Sequence, residues 1–567
     1  MMSEITKLGL ESSPTYRDAL DKNSHLREYV KNIIRELGSE PIYLEQLSRD
    51  LRYLKRVNMI YPVGDPIFIH IYTKTIGDRA IYHPIEPSIP KSLKRLRETV
   101  EDAIALVIDE SYDFKTPDEQ RDLLFKAIDE VIKIDRKLKK IEDYRVEDKG
   151  DHIIIHVNEN GYNAIKYTLE KEKIGIGIIE PLIRDPYIED ISCSGIGPIF
   201  VEHKIFSSCR TTIEVDTEEE LNDFIIRLSE RIGKPASYRR PIIDATLPDG
   251  SRINIVFGRD VSIKGSNFTI RKFTGKPLSI IQLCIWNTMD FLEAAYIWML
   301  LENGLSLWVC GETASGKTTT LKAIIPFIRP NAKIVSIEDT PEILCPHENW
   351  TREVTREGED KSASVQMYDL LRAALRQRPN YIIVGEIRGV EGAVAFQAMQ
   401  TGHPVLSTFH AASVEKLIQR LTGSPIDIPK TYIDNLNAVI IQSAVRLPKT
   451  GMVERRVLSI NEIIGYDPIE ETFNFIELFS WEAANDSHIF RGEGMSYILE
   501  EKIATMKGLS VREKRKIYEE LFIRREILRL MANNRITDYY DSWRVFRKIL
   551  EIGIEEAYRR LRREGSL

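Results

Sequence analysis

The chain is poor in cysteine. Its five cysteines, Cys193, Cys209, Cys284, Cys310 and Cys345, lie far apart and form no CxxC pair. That spacing argues against a zinc knuckle or a disulfide framework, and leaves small buried hydrophobes in a reducing cytoplasm as the expectation. Long apolar runs are also missing. The most apolar helical stretch, AAYIWMLL at 294–301, is bracketed by Glu293 and Glu302 and falls short of the roughly 20 residues a bilayer requires. The N-terminal MMSEITKLGLESSPTYRDALDK has neither the basic start nor the apolar centre of a signal peptide, so a membrane role is expected to come through a partner or a surface patch. Positive charge is not in excess. With a net charge of −7, nothing global draws the chain to nucleic acid or to an acidic membrane.

What is present indicates several globular domains. A length of 567 residues exceeds a single core, and 43% hydrophobic with 29% charged residues suits folded, not disordered, chain. Residues 1–160 mix charged helical stretches with a strand pattern, PIFIHIYTK at 66–74, and a charge-rich helix or linker, RKLKKIEDYR at 136–145. They are expected to form a region that docks a partner or membrane-associated protein. Residues 161–275 read as an α+β domain: YIEDISCSGIGPIFVEHK gives strands, TEEELNDFIIRLSERIGK at 217–234 an amphipathic helix with an acidic start. TGKPLS at 274–279 is a hinge candidate. Residues 276–484 alternate helices with the short apolar strands LSLWVC, AKIVSI, YIIV and PVLSTF, the rhythm of βαβ units and a largely parallel sheet. VLSINEIIGY and FNFIELF are expected to add antiparallel strands, and residues 485–567 to be helical.

Gly311-Glu312-Thr313-Ala314-Ser315-Gly316-Lys317-Thr318, followed by Thr319, contains a full GxxxxGK[ST] motif between an apolar strand and a helix-compatible run. Backbone N–H groups of such a loop wrap a phosphate, the lysine neutralises the β/γ oxygens and the Thr318 hydroxyl ligates Mg²⁺. An absence complicates this reading. The strand NYIIVGEIRG at 380–389 ends in Gly385-Glu386, where most such nucleotide sites place Asp-Glu and use the Asp to help hold the metal.

Four blocks in order answer that anomaly: GETASGKTTTL, the acidic SIEDTPEI (336–343), YIIVGEIRG, and TGHPVLSTFHAAS (401–413). Over roughly residues 165–480 the chain resembles the secretion and pilus-motor ATPase superfamily, whose members characteristically carry Gly-Glu at this strand end. TAS within the loop, where bacterial members more often have TGS, and CPHENW at 345–350 point to the archaeal branch, above all its archaellum motor. The resemblance implies a RecA-like α/β P-loop domain with a preceding α+β (PAS-like) domain and mainly helical N- and C-terminal extensions. It implies ATP and Mg²⁺ as cofactors, a homo-hexameric ring in the cytoplasm, and peripheral membrane association through a polytopic platform protein, driving filament assembly or secretion.

The resemblance also implies site residues. Glu386 would hold Mg²⁺ with Thr318 or orient the attacking water, sharing that work with Glu338 or Glu342, and the division among the three stays open. Asp339 is a further carboxylate of the same block. His410, and less so His403, would sense nucleotide state. Arg252 and Arg271 would stabilise the transferred phosphoryl charge from the 161–275 domain, with Arg240 and Arg259 weaker candidates and Arg388 coupling the strand end to a neighbouring subunit. Two rival readings are a RecA-like nucleic-acid translocase, disfavoured by the acidic net charge and by the lack of an aromatic-basic stripe, and a nucleotide-gated scaffold that hardly turns over.

Overall fold

The computed structural model describes residues 12–566 apart from 76, 109–115, 149, 151–152, 274 and 357–363. The N-terminal stretch read above for a signal peptide lies partly outside the described residues, as does Thr274 of the hinge candidate. The chain divides into two compact units, 1–273 and 274–567.

The first unit is built on one ten-stranded sheet. Its strands are β1 (Ile42–Tyr43), β2 (Asn58–Pro62), β3 (Phe68–Tyr72), β4 (Ile81–Ile85), β8 (Ile188–Cys193), β9 (Gly197–His203), β10 (Ser207–Val215), β11 (Ile242–Thr246), β12 (Arg252–Val256) and β13 (Asn267–Arg271). Their spatial order is β1-β2-β3-β4-β10-β9-β8-β13-β12-β11. A separate three-stranded sheet holds β5 (Ile132–Ile134), β6 (Arg145–Asp148) and β7 (Ile153–Val157). Strands β12 and β13 alternate buried and exposed positions, the pattern of a sheet with one covered face. Helix α2 (Glu218–Arg231) belongs to the cover. Thr217 caps it by accepting from the Glu220 N–H, and Leu221, Phe224, Ile225 and Leu228 bury one face at helical spacing.

The expected division at 275 lies beside the limit between the two units, whereas those at 160 and 484 cross paired elements. A boundary at 160 would fall in the first turn of α1 (Glu159–Lys173) and would separate β4 from its parallel partner β10. The two sides are also joined inside the core. Asp185, fully buried, accepts hydrogen bonds from the hydroxyls of Tyr61 on β2 (2.7 Å) and Tyr82 on β4 (2.8 Å) and from the Tyr187 N–H (2.8 Å). Burial raises its carboxyl above the ordinary range, and those three donors pull it back. RKLKKIEDYR is not a helix: it forms turns and a single 3₁₀ turn, Ile141–Asp143, before β6, since its charges leave no apolar face to bury.

The second unit is a nine-stranded sheet in the order β16-β15-β17-β18-β14-β19-β20-β21-β22. Its members are β14 (Leu307–Gly311), β15 (Ile334–Glu338), β16 (Trp350–Val354), β17 (Tyr381–Ile387), β18 (Val405–Phe409), β19 (Ala438–Arg446), β20 (Val453–Asp467), β21 (Thr472–Glu482) and β22 (Ser487–Phe490). The first six in spatial order run parallel and the last three join antiparallel. A boundary at 484 would therefore cut the β21–β22 hairpin. The apolar stretch 294–301 sits in α3 (Phe291–Glu302), whose residues from Leu292 to Leu301 are all buried. It is a core helix. Helix α8 (Ile517–Asn533) packs on it, with buried Arg524 forking onto Glu302 (2.6 and 3.1 Å) and lying 4.5 Å over the Trp298 ring. Among the described residues no helix is long and apolar enough to cross a membrane, and all five cysteines are buried and unpaired.

Candidate functional site

The phosphate loop connects β14 to α4 (Lys317–Ile324). Its glycines answer to one neighbour. A Cβ at Gly311 would stand 2.1 Å from the Gln442 backbone oxygen, and one at Gly316, where φ is +92°, would stand 2.9 Å from Gln442 Nε2. Ala314 adopts φ +61°, a left-handed conformation that costs a non-glycine residue about 1–2 kcal/mol. A glycine there would relieve that strain.

Gln442 carries no motif, yet it holds the loop from below. Buried on β19, it donates from Nε2 to the Ser315 carbonyl (2.9 Å) and accepts at Oε1 from the Thr320 hydroxyl (2.7 Å). The signal in the sequence is a lone amide inside the apolar run AVIIQSAV. Gln442→Ala leaves both partners unsatisfied, a penalty of about 1–3 kcal/mol. If the loop bears that penalty, affinity for a fluorescent ATP analogue falls about tenfold or more. Unchanged affinity would show that the amide only packs.

Lys317 is mostly buried. Its ammonium donates to the carbonyls of Gly311 (3.0 Å) and Glu312 (2.8 Å) and lies 3.4 Å from His410 Nδ1. Burial lowers its pKa and Glu386 opposes that shift. An incoming phosphate would take over these acceptors. For Lys317 to donate to Nδ1, the His410 ring must carry its proton on Nε2. That nitrogen stands 2.7 Å from Glu386 Oε1, but the N–H is not aimed at the oxygen, which has no hydrogen-bond partner. The contact is one of ion-pair distance without a directed bond. Burial and then Lys317 lower the His410 pKa, so the ring is neutral at neutral pH. Arg420 donates to the His410 carbonyl and lies 4.8 Å over the Phe409 ring, steadying the end of β18.

Glu386 Oε2 accepts from Arg388 Nε (2.9 Å). Asp339, Met367, Glu386, Arg388, Gly389 and Glu391 line a cleft of about 290 Å³ beside it. Asp339 accepts from the Thr355 hydroxyl (3.1 Å). Glu338, at the end of β15, is buried. Its Oε1 accepts the N–H groups of Glu342 and Ile343 (both 2.8 Å), and its Oε2 has no hydrogen-bond partner. Burial pushes its carboxyl up to about 7 against those two backbone bonds. Glu342 lies half-buried, its carboxylate 3.9 Å from Lys322 on α4.

Gly385 faces the stem of Glu338. A Cβ at Gly385 would come 3.3 Å from Glu338 Cγ, so any side chain there presses on Glu338 from the neighbouring strand.

Glu338, Glu386, His410 and the loop Gly311–Thr319 thus come together at the C-terminal ends of parallel strands. His403 does not join them. It precedes β18 and contacts the Thr401 hydroxyl (3.2 Å), one strand length away from His410 at the far end. Arg252 and Arg271 belong to the first unit. They are register partners on β12 and β13, with Asp190 on β8 opposite Arg271. Two exposed like charges directly opposed are unfavourable in a sheet, and Asp190 offsets Arg271 from the other side. Arg259 is engaged with Glu218 (2.8 Å), and Arg240 exchanges backbone bonds with Ser237.

Glu386, with one buried oxygen lacking a directed donor, and the Thr318 hydroxyl suit a magnesium ion held mainly by phosphate oxygens and water. Among the described residues no group of three or more His, Cys, Asp or Glu gathers at ligand spacing.

A parallel sheet with a phosphate loop leaving its β14 end and carboxylates on the neighbouring strand ends defines a P-loop nucleotide-binding domain of the RecA-like α/β class. The sequence narrows this further. The chain belongs to the type II/IV secretion system protein family, whose model matches residues 172–560. An uncharacterized protein of Methanocaldococcus jannaschii is 46% identical over 545 residues, covering 96% of this chain and 98% of that one. Protein VirB11 of Agrobacterium fabrum is 27% identical over 266 residues, 42% of this chain and 76% of its own. The X-ray structure of the Legionella pneumophila ATPase DotB aligns with 67% of this chain and 93% of its own at 18% identity and a TM-score of 0.37, a value that carries no argument.

Proposed function

We propose that the chain is a ring-forming ATPase that powers secretion or pilus-like filament assembly through a membrane platform protein. The observation that carries this reading is the line Lys317–His410–Glu386, which closes one side of a complete phosphate loop with a cation, a neutral ring and a carboxylate. Bound Mg²⁺ supplies charge neutralisation for the β/γ-phosphates. The protein's own groups do the rest. Backbone N–H groups of the loop and Lys317 bind the phosphates, Thr318 and Glu386 would hold the metal, and one of Glu338, Glu342 and Glu386 orients the attacking water. His410 lies against both Lys317 and Glu386, where it registers whether a γ-phosphate is present. Arg252 and Arg271 supply transition-state charge in the assembled ring. The archaeal branch is supported by the TAS loop and CPHENW, and by the long Methanocaldococcus match; an archaellum-type or pilus-type cargo fits both.

ATP hydrolysis per subunit, followed against protein concentration with Lys317→Ala as the blank, tests the reading. A steep rise supports a site that matures only in an oligomer, with Arg252→Ala and Arg271→Ala each lowering the plateau. A flat rate sinks the ring requirement, and no hydrolysis above the blank sinks the enzyme.

A further inference from the structure

The C-terminal region begins its penultimate helix, α9 (Tyr539–Ile552), at a point that touches two other segments. Asp538 is its N-cap, accepting from the Tyr540 and Asp541 N–H groups (2.9 and 3.1 Å), and the same carboxylate pairs with Lys276. One residue earlier, the Thr537 carbonyl accepts from the Ser279 hydroxyl (2.6 Å), and Ser279 itself caps the short helix Ile280–Ile285. Lys276 and Ser279 belong to the segment that joins the two units.

The other side of the same helix start meets the acidic block. Buried Tyr539 donates from its hydroxyl to the Leu344 carbonyl (2.9 Å). Leu344 directly follows Glu342 and Ile343, whose N–H groups are held by Glu338. Trp543, one turn on, packs its ring 4.4 Å from His347. His347 is buried and neutral, its value pushed down to about 4 by burial, and its Nε2 lies 3.1 Å from the Ile328 carbonyl, just after the helical segment that follows the phosphate loop.

We infer that residues 537–543 are a positioning element that holds the loop after the acidic block and the linker at 276–279 in one frame, so that nucleotide at the site alters the linker. The inference rests on the proposed nucleotide site. Physically, a capped helix start is rigid, and Asp538 and Tyr539 are adjacent. A shift of the 342–347 loop when phosphate arrives moves the anchor of Tyr539, and Asp538 and Thr537 carry that movement to Lys276 and Ser279. Such coupling is a free energy shared by two sites and must act both ways.

The test is hydrogen exchange of the amides of 275, 276, 278 and 279 in the full chain, with and without a non-hydrolysable ATP analogue and magnesium. Fluorescence titration of the same analogue runs alongside. Wild type is expected to show a nucleotide-dependent change of about fivefold or more. Asp538→Asn keeps a good helix cap but loses the charge pair, and Tyr539→Phe keeps the ring but loses the bond to Leu344. Each is expected to reduce the linker response to under about twofold while analogue affinity stays within about twofold of wild type. A full response in both variants, or none in a wild type that binds the analogue, overturns the inference. A wild type that binds no analogue overturns the nucleotide site and this inference with it.

Discussion

Lys317→Ala is expected to lower ATP hydrolysis by about two to three orders of magnitude, the scale on which loss of one preorganised charge-stabilising donor is felt. The reason is local. Lys317 is a buried side-chain cation held inside the loop, its ammonium fixed on the Gly311 and Glu312 carbonyls and near His410. A buried cation already stripped of much of its water interacts strongly with phosphate oxygens. Analogue affinity should fall with the rate, because the same charge serves the bound and the reacting state. Far-UV circular dichroism should be unchanged, since the substitution removes no backbone bond of β14 or α4. A variant that binds and turns over within about threefold of wild type would place the phosphates elsewhere.

Gly385→Asp is the second large effect, and it runs against the usual expectation that Asp belongs there. The new side chain would press on Glu338, whose Cγ stands 3.3 Å from a Cβ at this position, and its carboxylate brings no cation to offset it. Loss of stability of about 2–4 kcal/mol follows from a crowded, unpaired charge beside a buried one, read as a lower midpoint in chemical denaturation. The effect has a pH signature. The Glu338 carboxyl stands near 7 in the folded chain against an ordinary 4.5. Folding therefore favours its protonated form, and its ionisation opposes folding increasingly as pH climbs from 4.5, fully above about 7. The loss caused by Gly385→Asp should thus be largest above pH 7, and adding Glu338→Gln should recover about 1 kcal/mol or more of it. Equal loss at pH 5 and pH 8, with no recovery, would mean that steric crowding alone is at work.

Much of this site was legible in residue order. GxxxxGK[ST] specifies a strand, a loop and a helix because its glycines and lysine have no other common use together, and the chain folds there as its pattern indicates. YIIVGEIRG marked its carboxylate, but not what Gly385 faces, since that depends on a side chain 47 residues earlier brought alongside by β15–β17 pairing. Gln442 was illegible for the same reason: its two bonds cross from β19 to the phosphate loop and the helix after it, more than a hundred residues away. In sequence His410 ranked only a little above His403, and the direction of β18 places them at opposite ends of the strand. Domain limits were the least legible. Charge runs and turns mark exposed chain, and the joint between strands β4 and β10 lies in a core assembled from both sides of residue 160.

The Asp185 cluster has an evolutionary consequence. Once two tyrosines of an extension have become the hydroxyl donors of a core carboxylate, the extension ceases to be an optional appendage. Descendants that shed residues 1–160 would have to recruit new donors, or replace Asp185, and cover the vacated side of β10 in the same step. Tyr61 and Tyr82 in this way make residues 1–160 an obligate part of this fold, and relatives lacking them are expected to differ at position 185.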